Sequence, residues 1–544
     1  MSNPRRCRSP LIKKRTEEPR ARPHFRSPDF ESGVIAEPVL AFGGRHEHVD
    51  PKVGLALYGP YTLQGQTKPS LSSIVVGIVG PAPMISNAVQ WLDACRGIVT
   101  NDGSQPFLYP HFPGFHANLP FQCEIMTADT WHESIRQEDL DKALSAVNFA
   151  ERVKKVVRLY ARCIDVLAQR DPRPNVVLCC IPQDVIDYCT VRVTAAREVK
   201  RVRISKEERH IKRRAEQASR AGQFFLFPEL DPLLGVEGEE WGYHNLRRGL
   251  KAEAMQFGIP TQLVWPGTLQ TSGNAPAQRG RKVQDISTRA WNFTVALYHK
   301  AGGLPWRLAQ VEPGVCYVGI SFFRETAQGN PRMRTSMAQA FTSAGDGYVL
   351  RGNPFEWDES TQGKSPHLDQ KSATALLQNV ITLYLRQNRS SMPMRIVVHK
   401  TSKFTDEELR GFSDACKYVP RKDLVALSGR GIQFYRTGEY PPLRGTYVKF
   451  SDSNLLLYTD GYIPFLRTYP GPRVPQPLEI LEHHGDSPWN VVLQDVLSLT
   501  KLNWNTADFS CSYPITLAFS QKVAQILADL PPDVQPRPEY RFYM

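Results

Sequence analysis

Residues 73–81 read SIVVGIVGP, a short run of mainly β-branched side chains that Gly80 and Pro81 bring to an end. Such a run is typical of a strand buried on both faces of a parallel sheet. A second run, NVVLCCIP, occupies residues 175–182, and residues 138–169 between them have apolar side chains at helical spacing. Strand, helix and strand in this order indicate a βαβ unit, so we predict an α/β fold.

The second half of the chain predicts a further mixed layer. Its predicted elements are the strands 316–323 and 395–399, the helices 371–387, 405–416 and 519–530, and several short strands between 424 and 470. Gly302, Gly303 and Pro305 follow a predicted helix that ends near Lys300. We place the seam between the two halves at Pro305.

The composition is that of a globular protein, and its positive charge favours a polyanionic partner. The chain has 544 residues, of which 41% are hydrophobic and 22% charged, and its net charge is +13. It contains no apolar run of about 18 residues and no secretory signal, so we expect no membrane association. Its 10 cysteines form no C-x-x-C pair, which favours free thiols and a cytoplasmic location.

Two basic segments stand apart from the predicted core. Residues 1–34 are rich in Arg, Lys, Pro and Ser and predict a flexible, disordered arm. Residues 190–222 predict a basic helical insertion. This insertion is either a solvated face or a surface for nucleic acid or a partner protein, and both interpretations stay open.

Four polar residues predict a phosphate site. Arg247 and Lys251 are four residues apart, so on a helix they point to the same side. Gln262 opens the next predicted strand, and Lys300 ends the following helix. Cations and an amide at neighbouring element ends suit a phosphate group, although an ordinary solvated helix face has the same spacing.

Two segments around these residues resemble the MID domain of Argonaute proteins. They are 246–262, with LRRGLK and GIPTQ at its ends, and NFTVALYHKAGGLPW at 292–306. In that family these positions hold the 5′-phosphate of a guide strand. The resemblance therefore implies four phosphate ligands, Arg247, Lys251, Gln262 and Lys300.

The same resemblance implies further contacts of the guide. Tyr243 or His244, and more weakly Asn292, would contact its first base. In the family the C-terminal carboxylate enters the pocket, sometimes through a divalent ion, which implies Met544 as a ligand and Mg²⁺ as a cofactor. The apolar and aromatic ending RFYM suits a terminus that packs into the protein.

The second half is similar to the PIWI domain, which has an RNase H-like fold. The similar segments are YVGIS at 317–321, MRIVVHKTS at 394–402, RGT at 444–446, KLNWN at 501–505 and PITLA at 514–518. The resemblance implies a Rossmann-like MID domain within residues 35–305 and a PIWI domain over residues 306–544.

The catalytic positions of the PIWI domain are degenerate in this chain. Active PIWI domains cut with Asp, Glu, Asp and a fourth ligand, which together hold two divalent ions. The first aspartate position falls on Ser321 and the second on Thr401. Neutral hydroxyls cannot replace anionic oxygen ligands, so we expect no catalytic metal and no cleavage by this chain.

The segments PVLAFGG at 38–44 and DPKVGLALYGP at 50–60 resemble the start of short prokaryotic Argonautes, MID–PIWI proteins with an inactive PIWI domain. This resemblance implies a guide RNA, a single-stranded target DNA and a heterodimeric partner with an APAZ region fused to an effector. The effector would be a sirtuin-like or TIR domain that depletes NAD, or a nuclease, acting in abortive defence against plasmids and phage. The effector type, the guide, and assembly into higher oligomers on activation stay open.

Two other functions remain as alternatives. An active guide-directed nuclease could recruit Asp406, Glu407 and Glu408, although acids are common at a helix start such as this. An unguided basic scaffold could bind nucleic acid through charge alone. Mg²⁺-dependent cleavage would identify the nuclease, and substitution of Lys251 and Lys300 would separate a guide reader from a scaffold.

Overall fold

The structure is a computed structural model. It describes residues 30–64, 70–101, 103, 105–118, 120–146, 149–190, 245–271, 284–323, 333–342, 347–363, 365–429, 433–434, 438, 440–451, 454–471, 474–530 and 534–544. Residues 1–29 of the predicted arm, residues 191–222 of the predicted insertion, and the base-contact candidates Tyr243 and His244 lie outside the described residues.

The strands are β1 (Glu31–Val34), β2 (Leu40–Ala41), β3 (Glu47–His48), β4 (Ser73–Gly80), β5 (Glu124–Met126), β6 (His132–Ser134), β7 (Val176–Cys180), β8 (Thr261–Val264), β9 (Arg307–Leu308), β10 (Val315–Phe323), β11 (Met333–Thr342), β12 (Gly347–Glu356), β13 (Arg395–Lys400), β14 (Arg421–Gly429), β15 (Thr446–Ser451), β16 (Asn454–Leu457) and β17 (Leu478–Gly485).

The helices are α1 (Pro51–Tyr58), α2 (Ala82–Arg96), α3 (Gln137–Leu144), α4 (Phe149–Ala168), α5 (Gln183–Cys189), α6 (Leu246–Ala254), α7 (Ile286–Lys300), α8 (Glu359–Gln362), α9 (Gln370–Gln387), α10 (Asp406–Ala415), α11 (Trp489–Leu499), α12 (Ile515–Ala518) and α13 (Ser520–Ala528). None of the described helices combines the length and the apolar character needed to cross a bilayer.

The first half is built on a parallel sheet in the order β5-β4-β7-β8, with β6 also paired to β4. Every residue of β4 after Ser73 is buried, as is all of β7. Helices α2 and α7 cover one face of this sheet, and α4, α5 and α6 cover the other. The predicted α/β class and the two predicted buried strands are confirmed.

The helical region predicted over 138–169 consists of two helices, α3 and α4. Helix α3 ends at Leu144, where the Ser145 hydroxyl donates to the carbonyl of Lys142 and the Ser145 amide bonds back to the last turn. Such local hydrogen bonds of serine compete with helix continuation. Apolar periodicity alone does not reveal this break.

The second half contains a larger sheet, in the order β1-β15-β16-β17-β14-β13-β10-β11-β12. Its centre, β10-β13-β14, is parallel, and the strands outside this centre pair antiparallel. Alternate residues of β13 enter different cores: Ile396 and Val398 face α9 and α10, and Val397 faces the side of α11–α13. The helices predicted over 371–387 and 405–416 are confirmed as α9 and α10.

The N-terminal boundary of order differs from the prediction. Residues 31–34, expected to belong to the flexible arm, form β1 at the edge of the large sheet. Ser32 lies opposite Val448 in an antiparallel pairing with β15. The strand is mostly exposed, so backbone pairing rather than apolar burial forms it, and its sequence lacks the apolar alternation that predicts a strand.

Two tryptophans of the second half, one directly after Pro305 and one in the segment that follows α11, are joined by hydrogen bonds. Trp306 Nε1 donates to the carbonyl of Lys501 at 2.9 Å, and Trp504 Nε1 donates to the carbonyl of Trp306 at 3.0 Å. Both side chains are fully buried in a core that runs from the first sheet into the second. This pair is named the tryptophan seam below; the domain boundaries themselves stay a prediction.

A buried ion cluster ties the N-terminal segment to the second half. The Glu37 carboxylate accepts from Arg444 Nε at 3.0 Å and from Lys501 Nζ at 3.0 Å. Both cations are almost completely buried. Although burial opposes ionisation, the two cations together hold the pKa of Glu37 below its usual value. The carboxylate therefore compensates two buried positive charges and is the acid that both of them contact directly.

We expect Glu37→Gln to destabilise the protein by about 3–5 kcal/mol, because it leaves two buried cations without their carboxylate. Urea denaturation at pH 7 measures this loss. Glu31→Gln is the control: its carboxylate is exposed and lies 3.9 Å from Lys449 Nζ, so we expect a change below about 1 kcal/mol. Equal stability of the two variants would contradict this role of Glu37.

Candidate nucleic-acid interface

Helix α6 presents the first two predicted phosphate ligands. Asn245 caps the helix by accepting from the Arg247 amide at 2.8 Å. Leu246 and Leu250 are buried in the core beneath α4, which fixes the rotation of α6. Lys251 is 2% exposed, and its Nζ donates to the carbonyl oxygen of Thr261 at the start of β8.

Strand β8 and helix α7 supply the other two ligands. Asp285 caps α7 by accepting from two backbone amides, and Lys300 is the last residue of that helix. Lys300 is 2% exposed, and its Nζ donates to Gln262 Oε1 at 3.5 Å. The fold thus brings three separate elements, α6, β8 and α7, to one point.

The electrostatics of this point are unusual for a protein interior. Burial, then Lys300 and Arg247, hold the pKa of Lys251 well below its usual value. Burial and then Arg247 lower the pKa of Lys300 to about 7. In the described part of the chain, neither lysine forms an ion pair with a carboxylate. The residues Arg247, Lys251, Gln262 and Lys300, named the cation pocket below, form a site suited to an anion.

The C-terminal tail, residues 534–544, packs across both halves near the cation pocket. The amide of Val349 on β12 donates to the carbonyl of Pro538 at 2.7 Å, and Arg537 Nε donates to the carbonyl of Met255 after α6 at 3.2 Å. The short 3₁₀-helix Tyr540–Phe542 packs against α7. Met544 is buried, although entry of its carboxylate into the pocket stays a prediction.

The first-base candidate Asn292 has a structural contact. Its Oδ1 accepts from the backbone amide of Ala507 at 2.8 Å, which joins α7 to the loop after Trp504. This oxygen therefore has a role within the protein. A contact of Asn292 with a guide base stays a prediction.

The cation pocket does not fit a divalent ion held by protein side chains alone. Mg²⁺ prefers anionic and carbonyl oxygens. The pocket contributes three cations and the Gln262 oxygen, which already accepts from Lys300. Any Mg²⁺ here would depend on oxygens that a ligand brings.

The two degenerate catalytic positions lie together on the large sheet. In the parallel pairing of β10 with β13, Gly319 is opposite His399. Ser321 and Thr401 each follow two residues later, so both lie towards the carboxyl ends of these neighbouring strands. The Ser321 hydroxyl donates to the carbonyl of Ser520 at 3.2 Å. Neither position carries a negative charge.

The nearby acids do not gather at this edge. Glu408 is fully buried and accepts from Lys400 Nζ at 2.5 and 2.6 Å, and it lies 3.1 Å from His367 Nδ1. Asp406 and Glu407 are exposed in the first turn of α10. Among the described residues, no three His, Cys, Asp or Glu side chains are grouped as metal ligands.

No family model matches the chain. A curated relative, the Argonaute protein of Aquifex aeolicus, is 22% identical over 283 residues, which cover 51% of this chain and 35% of that protein. Of the solved structures, Clostridium butyricum Argonaute bound to a guide DNA and a 19-mer target DNA has a TM-score of 0.56 at 14% identity, covering 93% of this chain and 54% of that one.

Aa-Ago, the Aquifex aeolicus protein with externally bound siRNA, has a TM-score of 0.51 at 14% identity, covering 94% of this chain and 56% of that one. The chain thus spans about a third of the curated relative and about half of each structure. Its fold is Argonaute-like, and the predicted Rossmann-like and RNase H-like layers are confirmed at that level.

The Lys300 pKa predicts how the stability of the ligand-free protein depends on pH. An unfolded lysine keeps its proton to about pH 10.5, whereas folded Lys300 loses its proton near pH 7. The unfolded state therefore binds more protons across this window, so stability rises with pH. Between pH 7 and 9 we expect wild type to gain about 2 kcal/mol more than Lys300→Met in urea denaturation.

The control for this pH series is Lys154→Met, which changes an exposed lysine on α4. We expect this variant to keep the wild-type slope of stability against pH. Identical slopes for wild type and Lys300→Met would show that Lys300 is not the buried, proton-releasing group described above.

Proposed function

We propose that this chain holds a guide RNA by its 5′-phosphate and uses it to recognise complementary single-stranded DNA. The observation that carries the proposal is the cation pocket, in which buried Lys251 and Lys300 form no ion pair with a carboxylate of the described residues. A phosphate dianion supplies the missing negative charge and several hydrogen-bond acceptors.

The remaining features of the chain support a nucleic-acid ligand. A net charge of +13 attracts two phosphate backbones without reading their sequence, and base pairing with the guide supplies specificity. The Clostridium butyricum structure holds a guide and a target DNA, and the Aa-Ago structure carries siRNA. The choice of an RNA guide and a DNA target rests on the resemblance to short prokaryotic Argonautes.

The proposal assigns no cleavage to this chain. Ser321 and Thr401 offer neutral hydroxyls where two-metal cleavage needs carboxylates. We place the chemistry in a heterodimeric APAZ partner, with an effector that depletes NAD or cuts nucleic acid, in cytoplasmic defence against plasmids and phage. Mg²⁺ at the cation pocket would take its ligands from the guide phosphate and the Met544 carboxylate, and no step depends on it.

The first experiment is to purify the chain from its own cells, with any copurifying partner, and to sequence the bound nucleic acid. Short RNAs of uniform length with 5′-phosphates support the proposal. Heterogeneous fragments favour an unguided scaffold.

Substitution of the buried lysines tests the pocket directly. We expect Lys251→Met and Lys300→Met each to lower the preference for 5′-phosphorylated over 5′-hydroxyl RNA by about 10- to 100-fold, because each removes a charge-assisted contact to phosphate. Fluorescence anisotropy with both RNAs measures the ratio of dissociation constants. Lys154→Met is the matched control, which should reduce general affinity at most. A loss that is equal for the two RNAs would favour the scaffold.

A cleavage assay tests the absence of slicing. We expect the purified chain, loaded with guide RNA, to leave a fully paired DNA target intact in Mg²⁺ or Mn²⁺, because the two aspartate positions carry Ser321 on β10 and Thr401 directly after β13. Gel analysis of a labelled target measures this. Metal-dependent cleavage by the purified chain would contradict this expectation, and its loss in Glu407→Gln would support the nuclease alternative that recruits the acids of α10.

A further inference from the structure

A buried tyrosine of the C-terminal tail has an unused hydroxyl. Tyr540 is 2% exposed, and its phenolic oxygen has no hydrogen-bond partner in the described part of the chain. A buried tyrosine hydroxyl normally finds a partner, because leaving it unpaired costs free energy. The unpaired oxygen therefore requires an explanation.

Packing alone does not explain why a tyrosine occupies this position. The ring of Tyr540 lies edge-on to Phe519, with centroids 4.9 Å apart, and to Phe341, with centroids 5.9 Å apart. A phenylalanine would make both contacts and would bury no polar atom. The hydroxyl is thus the part of the side chain that the packing leaves without a role.

The elements that surround Tyr540 border the cation pocket. The 3₁₀-helix Tyr540–Phe542 packs against α7, which ends at Lys300. Burial raises the pKa of Tyr540. The Arg247 guanidinium on α6 is close enough for its positive charge to oppose this rise. Helix α13, which follows Phe519, packs against α6.

A second tyrosine in the same tail shows the contrast. The Tyr543 hydroxyl donates to the carbonyl of Arg537 at 2.7 Å, so it is satisfied within the tail. Both residues are almost completely buried. Of the two hydroxyls, only that of Tyr540 has no hydrogen-bond partner among the described residues.

We propose that the Tyr540 hydroxyl donates a hydrogen bond to the 5′-phosphate of the guide and thereby contributes to its selection over a 5′-hydroxyl end. The inference rests on the proposed function. The phosphate supplies the acceptor that the protein lacks, and its several oxygens can accept from Tyr540 together with the cations of the pocket. The C-terminal tail then forms part of the binding site as well as its outer support.

The test compares Tyr540→Phe with Tyr543→Phe, each of which removes one oxygen and keeps the ring. We expect Tyr540→Phe to lower the preference for 5′-phosphorylated over 5′-hydroxyl RNA about tenfold, the effect of one lost hydrogen bond to a charged group. Its melting temperature without RNA should equal or exceed that of wild type, because no protein contact is lost. Tyr543→Phe should keep the preference and melt at a lower temperature.

The outcomes separate this inference from the function on which it rests. If wild type shows no preference for the 5′-phosphate, the proposed function fails. If wild type shows the preference and Tyr540→Phe retains all of it, the role of Tyr540 is overturned. A lower melting temperature or unfolding of RNA-free Tyr540→Phe would also overturn it, because the hydroxyl would then have a partner within the protein.

Discussion

The hydrogen bonds from Trp306 to Lys501 and from Trp504 to Trp306, together with the contact of Asn292 with Ala507, form the constraint on which the geometry of the molecule depends. The cation pocket takes its side chains from the first half of the chain, whereas the tail beside it also pairs with β12 of the large sheet. The pocket and the tail keep their relative positions only if the two halves of the chain are fixed against each other. The Asn292 contact to Ala507 joins the middle of α7, the helix that carries Lys300, to the second half, and the tryptophan seam fixes the chain that follows this helix.

The buried lysines differ in whether a carboxylate of the protein compensates their charge. Lys501 shares the Glu37 carboxylate with Arg444, and Lys400 is held by Glu408, so these charges are compensated within the fold. Lys251 and Lys300 are equally buried and repel each other and Arg247. Since the same protein supplies carboxylates to other buried cations, this contrast is the physical basis for the proposed phosphate site, and an empty cation pocket would lower the stability of the protein.

Local patterns predicted the parts of the structure that depend on local physics. Apolar runs identified the buried strands β4 and β7, and the spacing of Arg247 and Lys251 correctly placed both on one helix. Strand β1 was missed because it forms by pairing with β15, which lies more than 400 residues later in the chain. The neighbouring ion pair has a similar span, since Arg444 is 407 residues from Glu37. The unpaired hydroxyl of Tyr540 was missed for a similar reason, since only the packed structure shows which tail tyrosine has a partner.

The long separation between Glu37 and Arg444 has a consequence for synthesis of the protein. At about 5–20 residues per second, a ribosome needs roughly 20–80 s to make the 407 residues between them. Throughout that time the N-terminal segment has neither its ion partners nor its strand neighbour, while the first α/β layer can already fold. The N-terminal segment can therefore join the fold only after the chain has been made as far as β15, so the edge strand and the ion cluster form late in synthesis.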